Sequence, residues 1–377
     1  MTNIILLSKN EMTEFMSYYR PIALAQVEMK LYTNIIYEKL AKYCADNNIL
    51  EDLQFGSRKG RSAAQALISF RQVIDDAIEN NKELYIMYLD FAKAYDSVEH
   101  EMLRRTLMYY KIPEEVIDRI MELYKDNKAN IYTPHGVTEN TINIDNGVKQ
   151  GDTLSPLLFI LFINPLLTKL KASKLGYKFG KDENITIPNI TYSDDNTLIT
   201  SSQEEMREMT EIVIEFCKQT GIRLNPTKCV YTYKNNTGQC NPLEIQGYGV
   251  NPVSGQEAQR LLGIECAINQ EFEKQQKKSL AQLRTDIWKT EDRCLFTRQR
   301  VKIINLMYIP KAAYRMSVIE YDDQTVSKMN KICTNSIKDS MKWPRNSNNN
   351  KIWNFTEEGQ RVRPIKINNC NIKAVEW

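Results

Sequence analysis

Histidine is scarce in this 377-residue chain, and cysteine does not occur in the close pairs that bind metal. The two histidines, His100 and His135, lie far apart, and none of the eight cysteines forms a CxxC pair. Zinc sites and disulfide frameworks draw on such clusters. The sequence therefore argues against both and favours a reducing, intracellular compartment.

Long apolar runs are also missing. The longest covers residues 157–163 and is followed by Asn164 and Pro165, whereas a bilayer-spanning helix needs about 20 apolar residues. The first residues, Met1-Thr2-Asn3, lack the basic segment and the adequate apolar segment of a secretory signal. We therefore expect no membrane contact.

A strong charge of one sign is absent as well. Lys and Arg number 50 against 47 for Asp and Glu, and the net charge of +3 is too small to indicate a class of partner. Any basic surface must be local. Residues 274–302 hold nine basic and three acidic side chains, which fits either a helix along a phosphate backbone or an ordinary solvated helix face. The composition is that of a folded protein, and the length predicts two or three domains.

The first hundred residues contain strand and helix signals. Two short strands, at residues 4–8 and 19–22, precede two helices, the second of which Ser62 can cap. The segment 84–91 is too apolar and aromatic for a surface segment, and we interpret it as a buried strand that reaches Asp90.

The rest of the pattern predicts a ferredoxin-like sheet. Helices inserted after the first strand precede a helix for which Ser155 is the expected N-cap. That helix, a hairpin, a further helix and a strand follow one another at residues 155–170, 185–200, 203–220 and 229–233. Strand, helix, hairpin, helix and strand form a split βαβ unit. Beyond about residue 268 the pattern is helical, so the fold class is α+β.

Three carboxylates are placed where they can meet. Asp90 ends the first strand of the predicted sheet, and Asp194 and Asp195 stand at the tip of its central hairpin. Clustered carboxylates are costly unless cations neutralise them, and Mg²⁺ prefers such hard oxygen ligands. Two such ions suit an in-line phosphoryl displacement, as in polymerases. The alternative is that Asp90 caps a strand and the Asp pair belongs to an ordinary turn.

Three segments carry a family resemblance. They are, in order, Tyr88-Leu89-Asp90-Phe91-Ala92-Lys93-Ala94-Tyr95-Asp96, Gln150-Gly151-Asp152-Thr153-Leu154-Ser155-Pro156 and Tyr192-Ser193-Asp194-Asp195. Their order and spacing resemble the palm motifs of reverse transcriptases, in particular those of non-LTR retrotransposons and group II introns. Flanking matches extend the resemblance over about residues 4–265, and they include Leu6-Leu7-Ser8-Lys9, Gln54-Phe55-Gly56, Gly60-Arg61-Ser62, Gly221-Ile222-Arg223-Leu224-Asn225-Pro226-Thr227-Lys228 and Leu262-Gly263-Ile264.

The resemblance implies a right-hand polymerase. Fingers would occupy residues 1–83, the ferredoxin-like palm residues 84–268, and a helical thumb-like region with an irregular tail residues 269–377. The reverse transcriptase domain would cover about residues 1–268. The implied activity is RNA-directed DNA synthesis with dNTPs on an RNA template and a DNA primer, by two-metal-ion phosphoryl transfer. The metal would be Mg²⁺, for which Mn²⁺ can substitute, and the protein would work in a nuclear or cytoplasmic ribonucleoprotein.

Roles can be carried over residue by residue. The metals would be held by Asp90, Asp194 and Asp195, together with the backbone of Phe91, and Lys228 would donate a proton to pyrophosphate. The nucleotide would be contacted by Lys9, Arg20, Phe91, Ala92, Tyr95, Gln150 and Gly151. The template phosphates would be followed by Arg58, Lys59 and Arg61. Tyr95 would lie under the sugar and clash with a 2′-hydroxyl, which favours DNA over RNA synthesis.

Two positions depart from the family pattern. Tyr192-Ser193 stands where an aromatic residue followed by Ala is commoner, and Ser57 stands where an aromatic residue is usual. The match begins at Met1, without the N-terminal extension of such enzymes, and no endonuclease domain or zinc knuckle is recognised. Two alternatives therefore stay open: a catalytically silent, maturase-like RNA-binding protein, or the remnant of a truncated element. The sequence does not indicate an oligomeric state.

Overall fold

The computed structural model describes residues 2–8, 19–133, 136–268, 272–291, 293, 295–349 and 352. The chain divides into two compact units. The first unit contains residues 1–66 and 72–254, and the second contains residues 67–71 and 255–377. The division into fingers, palm and thumb-like region stays a prediction.

The strands within the described residues are short, and most have three to six residues. In chain order they are β1 Thr2–Ser8, β2 Tyr19–Leu24, β3 Leu84–Leu89, β4 Lys128–Thr133, β5 Gly136–Val137, β6 Ile142–Asn143, β7 Tyr177–Phe179, β8 Ile185–Ile187, β9 Asn189–Tyr192, β10 Asp195–Thr200, β11 Val230–Lys234, β12 Leu243–Ile245, β13 Tyr248–Val250, β14 Pro252–Ser254, β15 Gln259–Leu261 and β16 Ile264–Cys266.

The helices lie between these strands in the sequence and after the last of them. In chain order they are α1 Val27–Asp46, α2 Ala63–Glu79, α3 His100–Tyr109, α4 Glu114–Glu122, α5 Ser155–Ala172, α6 Gln203–Thr220, α7 Phe272–Glu291, α8 Thr297–Ile303, α9 Ile309–Met316 and α10 Asp323–Ser340. A 3-10 helix covers Ala94–Ser97, and a π-helical turn, Ile304–Tyr308, joins α8 to α9.

The central sheet of the first unit has the strand order β14-β11-β3-β10-β9. Strand β3 pairs antiparallel with both β10 and β11, and β10 pairs antiparallel with β9. Two helices, α5 and α6, lie in the connections before β9 and after β10. This is the split βαβ arrangement, so the predicted ferredoxin-like palm and the α+β class are confirmed.

Helix α5 forms the centre of the first unit's core. Twelve of its 18 residues are buried, and all of these except Ser155 and Asn164 belong to a hydrophobic cluster that also contains residues of α1, α3, α4, α6 and the central sheet. Among the described residues it is the one helix long and apolar enough to span a membrane, and its burial in this core accounts for that composition. Ser155 is its first residue and Leu154 its N-cap, so the predicted cap at Ser155 was one residue too late.

Local sequence signals set several helix ends. The Ser62 hydroxyl accepts the N–H of Gln65 at the start of α2, as predicted, and the Ser202 hydroxyl accepts that of Glu205 at the start of α6. At the other end of α6, Gly221 adopts φ 76°, a left-handed conformation that suits glycine. The sequence correctly predicted this end of the helix.

A second sheet of the first unit joins segments far apart in sequence. Its order is β2-β1-β4-β5, and β6 also pairs with β4. Strands β1 and β2 were predicted and form an antiparallel pair with Leu7 opposite Arg20. Strand β4 lies parallel to β1. No strand was predicted at this segment, which lacks the continuous apolar run of a buried strand, and only Ala129 of its six residues is buried.

The second unit is mainly helical, as the sequence predicted for the region after residue 268. Helix α7 packs against α10, and the hairpin β15–β16 precedes them. Side chains of α7 tie the unit together: the Gln276 amide donates to the carbonyl of Glu320 at 2.8 Å, and Ser279 accepts the hydroxyl of Tyr321 at 2.7 Å. Residues 353–377, in the predicted irregular tail, lie outside the described residues.

Candidate active site

Asp90, Asp194 and Asp195 lie at one edge of the central sheet. Asp90 directly follows β3, and its carbonyl accepts the N–H of Asn225 at 2.7 Å. Asp194 lies in the turn between β9 and β10, and Asp195 opens β10 opposite Tyr192. Since the residues next to these positions on β3 and β10 pair in register, the three carboxylates come from adjacent strand ends.

The three carboxylates influence one another electrostatically. Burial, together with the negative charges of Asp194 and Asp90, raises the pKa of Asp195 to about 6, against the opposing charge of Arg20. Burial also raises the pKa of Asp194, where the charge of Asp90 adds to the effect and Arg20 opposes it. Both carboxylates remain accessible to solvent. The edge therefore combines concentrated negative charge with access from outside, which favours binding of a cation.

The carboxylate set suits a hard divalent cation. All three side chains offer oxygen ligands, and their mutual repulsion would be relieved by a positive ion. In the described part of the chain, no three Asp, Glu, His or Cys side chains, these aspartates included, are arranged to hold a metal ion by themselves. Mg²⁺ completes its coordination with waters and phosphate oxygens, so an open set of carboxylates fits this ion better than a closed cage.

Cationic side chains face the carboxylates from two elements. Arg20, exposed on β2, lowers the pKa of both Asp194 and Asp195 through its charge. Lys228 lies after the 223–225 segment, and its Nζ is 3.9 Å from Oδ2 of Asp90. These two predicted site residues are therefore brought to the acidic edge. Lys9, the third predicted cation, lies outside the described residues.

Tyr95 lies beside the same edge. Its hydroxyl is 2.8 Å from the hydroxyl of Ser193, and its ring stacks on Phe159 of α5 with centroids 4.7 Å apart. Burial and the charge of Asp194 raise the pKa of Tyr95, although the Ser193 hydrogen bond lowers it. The phenol therefore stays protonated and can act as a hydrogen-bond donor close to the carboxylates.

The backbone after Asp90 is fixed by pairing with a neighbouring segment. Phe91 forms an antiparallel bridge with Leu224, and the N–H of Ala92 donates to the carbonyl of Arg223 at 2.8 Å. Phe91 is buried, and Lys93 turns the chain with φ 49°. The amide of Ala92 is thus already occupied, and the predicted contact of this backbone with a triphosphate has to use other atoms.

Gln150 and Gly151 lie in a loop held from both sides. The Gln150 amide donates to Oδ1 of Asp96 at 2.9 Å, and its backbone carbonyl accepts the N–H of Ala23 on β2 at 2.7 Å. Gly151 has φ 104°, and a Cβ there would lie 2.9 Å from the carbonyl oxygen of Ala23. The glycine is therefore required by its contact with β2, a contact that was not predicted.

The three predicted template residues differ in their surroundings. Nη1 of Arg58 donates to the carbonyls of Glu51 and Gln54 at 2.6 and 3.1 Å, and burial lowers the pKa of this arginine. Arg61 lies over the ring of Phe55, whereas Lys59 is exposed. Arg58 thus stabilises its own loop, and Lys59 is better placed to reach a phosphate.

Gln54 belongs to the site, although no role was predicted for it. It is 0% exposed, and its Oε1 accepts the N–H groups of Gly56 and Ser193 at 2.8 and 2.9 Å. The same segment pairs with β9, because the N–H of Phe55 donates to the carbonyl of Thr191 at 2.8 Å. The triplet Gln54-Phe55-Gly56 was a visible signal, but sequence alone does not reveal that it supports the carboxylate turn.

A split βαβ sheet with three carboxylates at one strand edge and cations facing them is typical of the palm of a template-directed polymerase. The reverse transcriptase (RNA-dependent DNA polymerase) family model matches residues 7–266. The chain belongs to this family, and it carries a reverse transcriptase domain of the non-LTR retrotransposon type. The resemblance seen in the sequence is confirmed.

The curated relatives are retrotransposon proteins. The Pol polyprotein of the type-1 retrotransposable element R2 from Nasonia vitripennis is 24% identical over 99% of this chain and 35% of its own length. The corresponding protein from Popillia japonica is 29% identical over 48% of this chain and 31% of its own length. The RNA-directed DNA polymerase of the mobile element jockey from Drosophila melanogaster is 23% identical over 65% of this chain. The chain spans about a third of the length of the first two relatives.

Solved structures of telomerase are also similar. The apo telomerase from Candida tropicalis matches 90% of this chain and 58% of its own length, with a TM-score of 0.47 and 14% sequence identity. The telomerase from Candida albicans in complex with a fragment of telomeric RNA matches 90% of this chain, with a TM-score of 0.42 and 11% identity.

Proposed function

We propose that this chain is the RNA-directed DNA polymerase module of a non-LTR retrotransposon. It would extend a DNA primer on an RNA template with dNTPs. The observation that carries the proposal is the meeting of Asp90 with Asp194 and Asp195 at one sheet edge, where burial and the charges of Asp194 and Asp90 together raise the pKa of Asp195 to about 6. A protein that only binds RNA has no need of concentrated negative charge facing a phosphate backbone.

The three carboxylates would hold the catalytic cations. Members of the family depend in general on divalent metal, and we propose two Mg²⁺ ions, for which Mn²⁺ can substitute. When bound, such ions activate the primer 3′-hydroxyl and stabilise charge on the leaving pyrophosphate. The chain's own part is to keep Asp194 and Asp195 at the end of a rigid strand pair, so that their oxygens are in position before substrate arrives.

The cations around this edge would act on the nucleotide. Arg20 presents a planar guanidinium that can bind two phosphate oxygens, and Lys9 would add a point charge. Lys228, 3.9 Å from Asp90, would give a proton to the pyrophosphate as it leaves. Gln150 is held by Asp96 and would line the nucleotide from the other side.

The polymer partners would be an RNA template and a DNA primer. Members of this family copy RNA templates. On the fingers side, the exposed Lys59 would contact template phosphates, and we assign the basic segment 274–302 to the product duplex. Such contacts are electrostatic, so the affinity for template and primer should fall steeply as the salt concentration rises.

The protein would work in a reducing compartment. The six cysteines among the described residues are free thiols, namely Cys44, Cys217, Cys229, Cys240, Cys266 and Cys333. Burial raises the pKa of Cys44 to about 11 and that of Cys217 to about 12, which keeps these thiols protonated and unreactive. These free thiols support a location inside the cell, where the protein would work in a nuclear or cytoplasmic ribonucleoprotein.

Primer extension tests the proposal directly. The protein is incubated with poly(rA), an oligo(dT) primer and Mg²⁺, and incorporation of dTTP is compared with that of UTP. We expect extension with dTTP, lost by several orders of magnitude in Asp194→Asn, because a metal ligand is removed. Asp182→Asn removes an exposed carboxylate of a turn in the same unit and should leave the rate unchanged.

Two results would contradict the proposal. A folded protein that binds RNA tightly and extends no primer would be a maturase-like binding protein. A protein without a cooperative melting transition would be the remnant of an element. Circular dichroism and a melting curve on the same sample separate these two outcomes.

A further inference from the structure

Ser193 is bonded on two sides. Its backbone N–H donates to Oε1 of the buried Gln54 at 2.9 Å, and its hydroxyl is 2.8 Å from the hydroxyl of Tyr95. Its backbone has φ 60°, in the left-handed region that serine rarely adopts. Such a conformation costs free energy and persists where surrounding contacts fix it. The position of the Ser193 hydroxyl is therefore set by the turn that carries the carboxylates.

Tyr95 is restrained by different contacts at its two ends. The ring stacks on Phe159 at an interplanar angle of 16°, which fixes its plane but allows it to slide. The hydroxyl hydrogen bond to Ser193 adds the missing restraint. Ring and turn thus move together, and the turn is anchored through Gln54 to the 53–56 segment.

We propose that the Ser193 hydroxyl is a specificity-determining group that acts by positioning Tyr95. This rests on the proposed function, in which the Tyr95 ring excludes a ribose 2′-hydroxyl. The Tyr95 ring excludes the extra oxygen only if it is not displaced when a ribonucleotide binds. The hydrogen bond to Ser193 prevents this displacement. The hydrogen bond also occupies the phenol hydroxyl of Tyr95. Without it, this hydroxyl would be free to hydrogen-bond to a 2′-hydroxyl and so to stabilise binding of a ribonucleotide.

The hydrogen bond to Tyr95 depends on the serine that this chain has at position 193. An alanine at position 193 could keep the turn but would leave the Tyr95 hydroxyl without this partner. The same serine therefore serves two purposes, because its backbone supports the metal carboxylates while its side chain controls the choice of sugar.

The test is a double-mutant cycle with Ser193→Ala, Tyr95→Phe and the combined variant. For each protein, kcat/KM is measured with dTTP and with UTP on poly(rA) and oligo(dT). We expect each single variant to lose about three- to tenfold of the dTTP preference, as for the loss of one hydrogen bond. The combined variant should lose no more than the larger single loss, because both changes remove the same bond.

Ser279→Ala is the matched control. It removes the hydroxyl that accepts the Tyr321 hydroxyl at 2.7 Å in the second unit. Melting curves should show a comparable loss of stability in Ser279→Ala and Ser193→Ala, but the dTTP preference should fall only in Ser193→Ala. A merely structural role of Ser193 would lower stability without changing the preference.

The outcomes separate the inference from the function on which it rests. If Ser193→Ala and Tyr95→Phe extend the primer with a dTTP preference within twofold of the wild type, the inference is wrong and the polymerase assignment stands. If the two losses simply multiply in the combined variant, the hydroxyls act independently and the inference is also wrong. A folded wild-type protein that extends no primer would overturn both.

Discussion

The side-chain oxygen of Gln54 accepts the backbone N–H of Ser193 at an N···O distance of 2.9 Å, although 138 residues separate the two in the chain. The same oxygen accepts the N–H of Gly56 at 2.8 Å. One buried amide therefore joins the segment after α1 to the turn that bears Asp194. Because this hydrogen bond lies at the left-handed residue of the turn, it stabilises the conformation that presents the carboxylates.

Gln54→Leu should destabilise the protein and weaken catalysis together. The change keeps a similar volume but leaves two buried N–H groups without their acceptor, at a cost of about 1–3 kcal/mol. Chemical denaturation measures this loss, and primer extension should need a higher Mg²⁺ concentration because the turn is less well held.

Gln203→Leu is the control. The Gln203 side chain donates to the backbone carbonyl of Asn241 and accepts the backbone N–H of the same residue, but these hydrogen bonds are exposed. Its effect should stay within about 0.5 kcal/mol, and an equal effect of both variants would contradict the special role of Gln54.

Gly56→Ala should be more damaging than its small size suggests. A Cβ at position 56 would lie 2.3 Å from the backbone nitrogen of Ser193, and neither backbone can move without disturbing the carboxylate turn. We expect a loss of about 1–3 kcal/mol in unfolding free energy, as for other overpacked sites. Gly249→Ala is matched to it, since that glycine has open space around its Cβ position and no left-handed φ. If both alanines are tolerated equally in a melting experiment, the close approach is not restrictive.

Much of this fold can be predicted from the sequence. The apolar residues of β3 and α5, the serine cap of α2 and the glycine that ends α6 are local signals, and together they give the order of elements in a split βαβ sheet. Once that order is known, Asp90 and the Asp194-Asp195 pair must lie at adjacent strand ends. The carboxylate site follows from topology and needs no side-chain detail.

The parts that sequence could not give depend on contacts between distant segments. Strand β4 is stabilised by pairing with β1, which lies over a hundred residues earlier. The role of Gln54 depends on one acceptor oxygen and two specific N–H groups. Arg58 was expected at the template, but its guanidinium instead lies within hydrogen-bond distance of two carbonyls of its own loop. In each case residue type and spacing are compatible with several partners, and packing selects one.

Asp195 should make the stability of the metal-free protein depend on pH. Its pKa is raised from 3.8 to about 6 by burial and by the charges of Asp194 and Asp90, against the opposing charge of Arg20. Between about pH 4 and 6 the folded protein therefore holds more protons than the unfolded chain, and stability falls as the pH rises through this window. Asp195→Asn removes the cost, so the variant should melt above the wild type at pH 7–8 and close to it near pH 3.

Adding Mg²⁺ provides the complementary measurement. A cation stabilises the folded state more at a given concentration the more tightly it binds, so Mg²⁺ at pH 8 should raise the melting temperature of the wild type more than that of Asp195→Asn. Asp182→Asn, at an exposed turn, should follow the wild type in both experiments. A variant that is less stable than the wild type at every pH would show that the Asp195 carboxylate is not under electrostatic strain.

Lys228→Gln should slow the chemical step. Loss of a general acid typically lowers the rate by about 10²–10⁴-fold, so kcat for dTTP incorporation should fall while KM changes little. Lys218→Gln is the control: Lys218 is an exposed lysine in the last turn of α6, in the same unit, and its replacement should leave kcat unchanged.

A counter-ion role for Lys228 is the alternative, because its Nζ lies 3.9 Å from Asp90. In that case Lys228→Gln would raise the Mg²⁺ concentration needed for activity and leave kcat at saturating Mg²⁺ unchanged, and the general-acid role would be wrong.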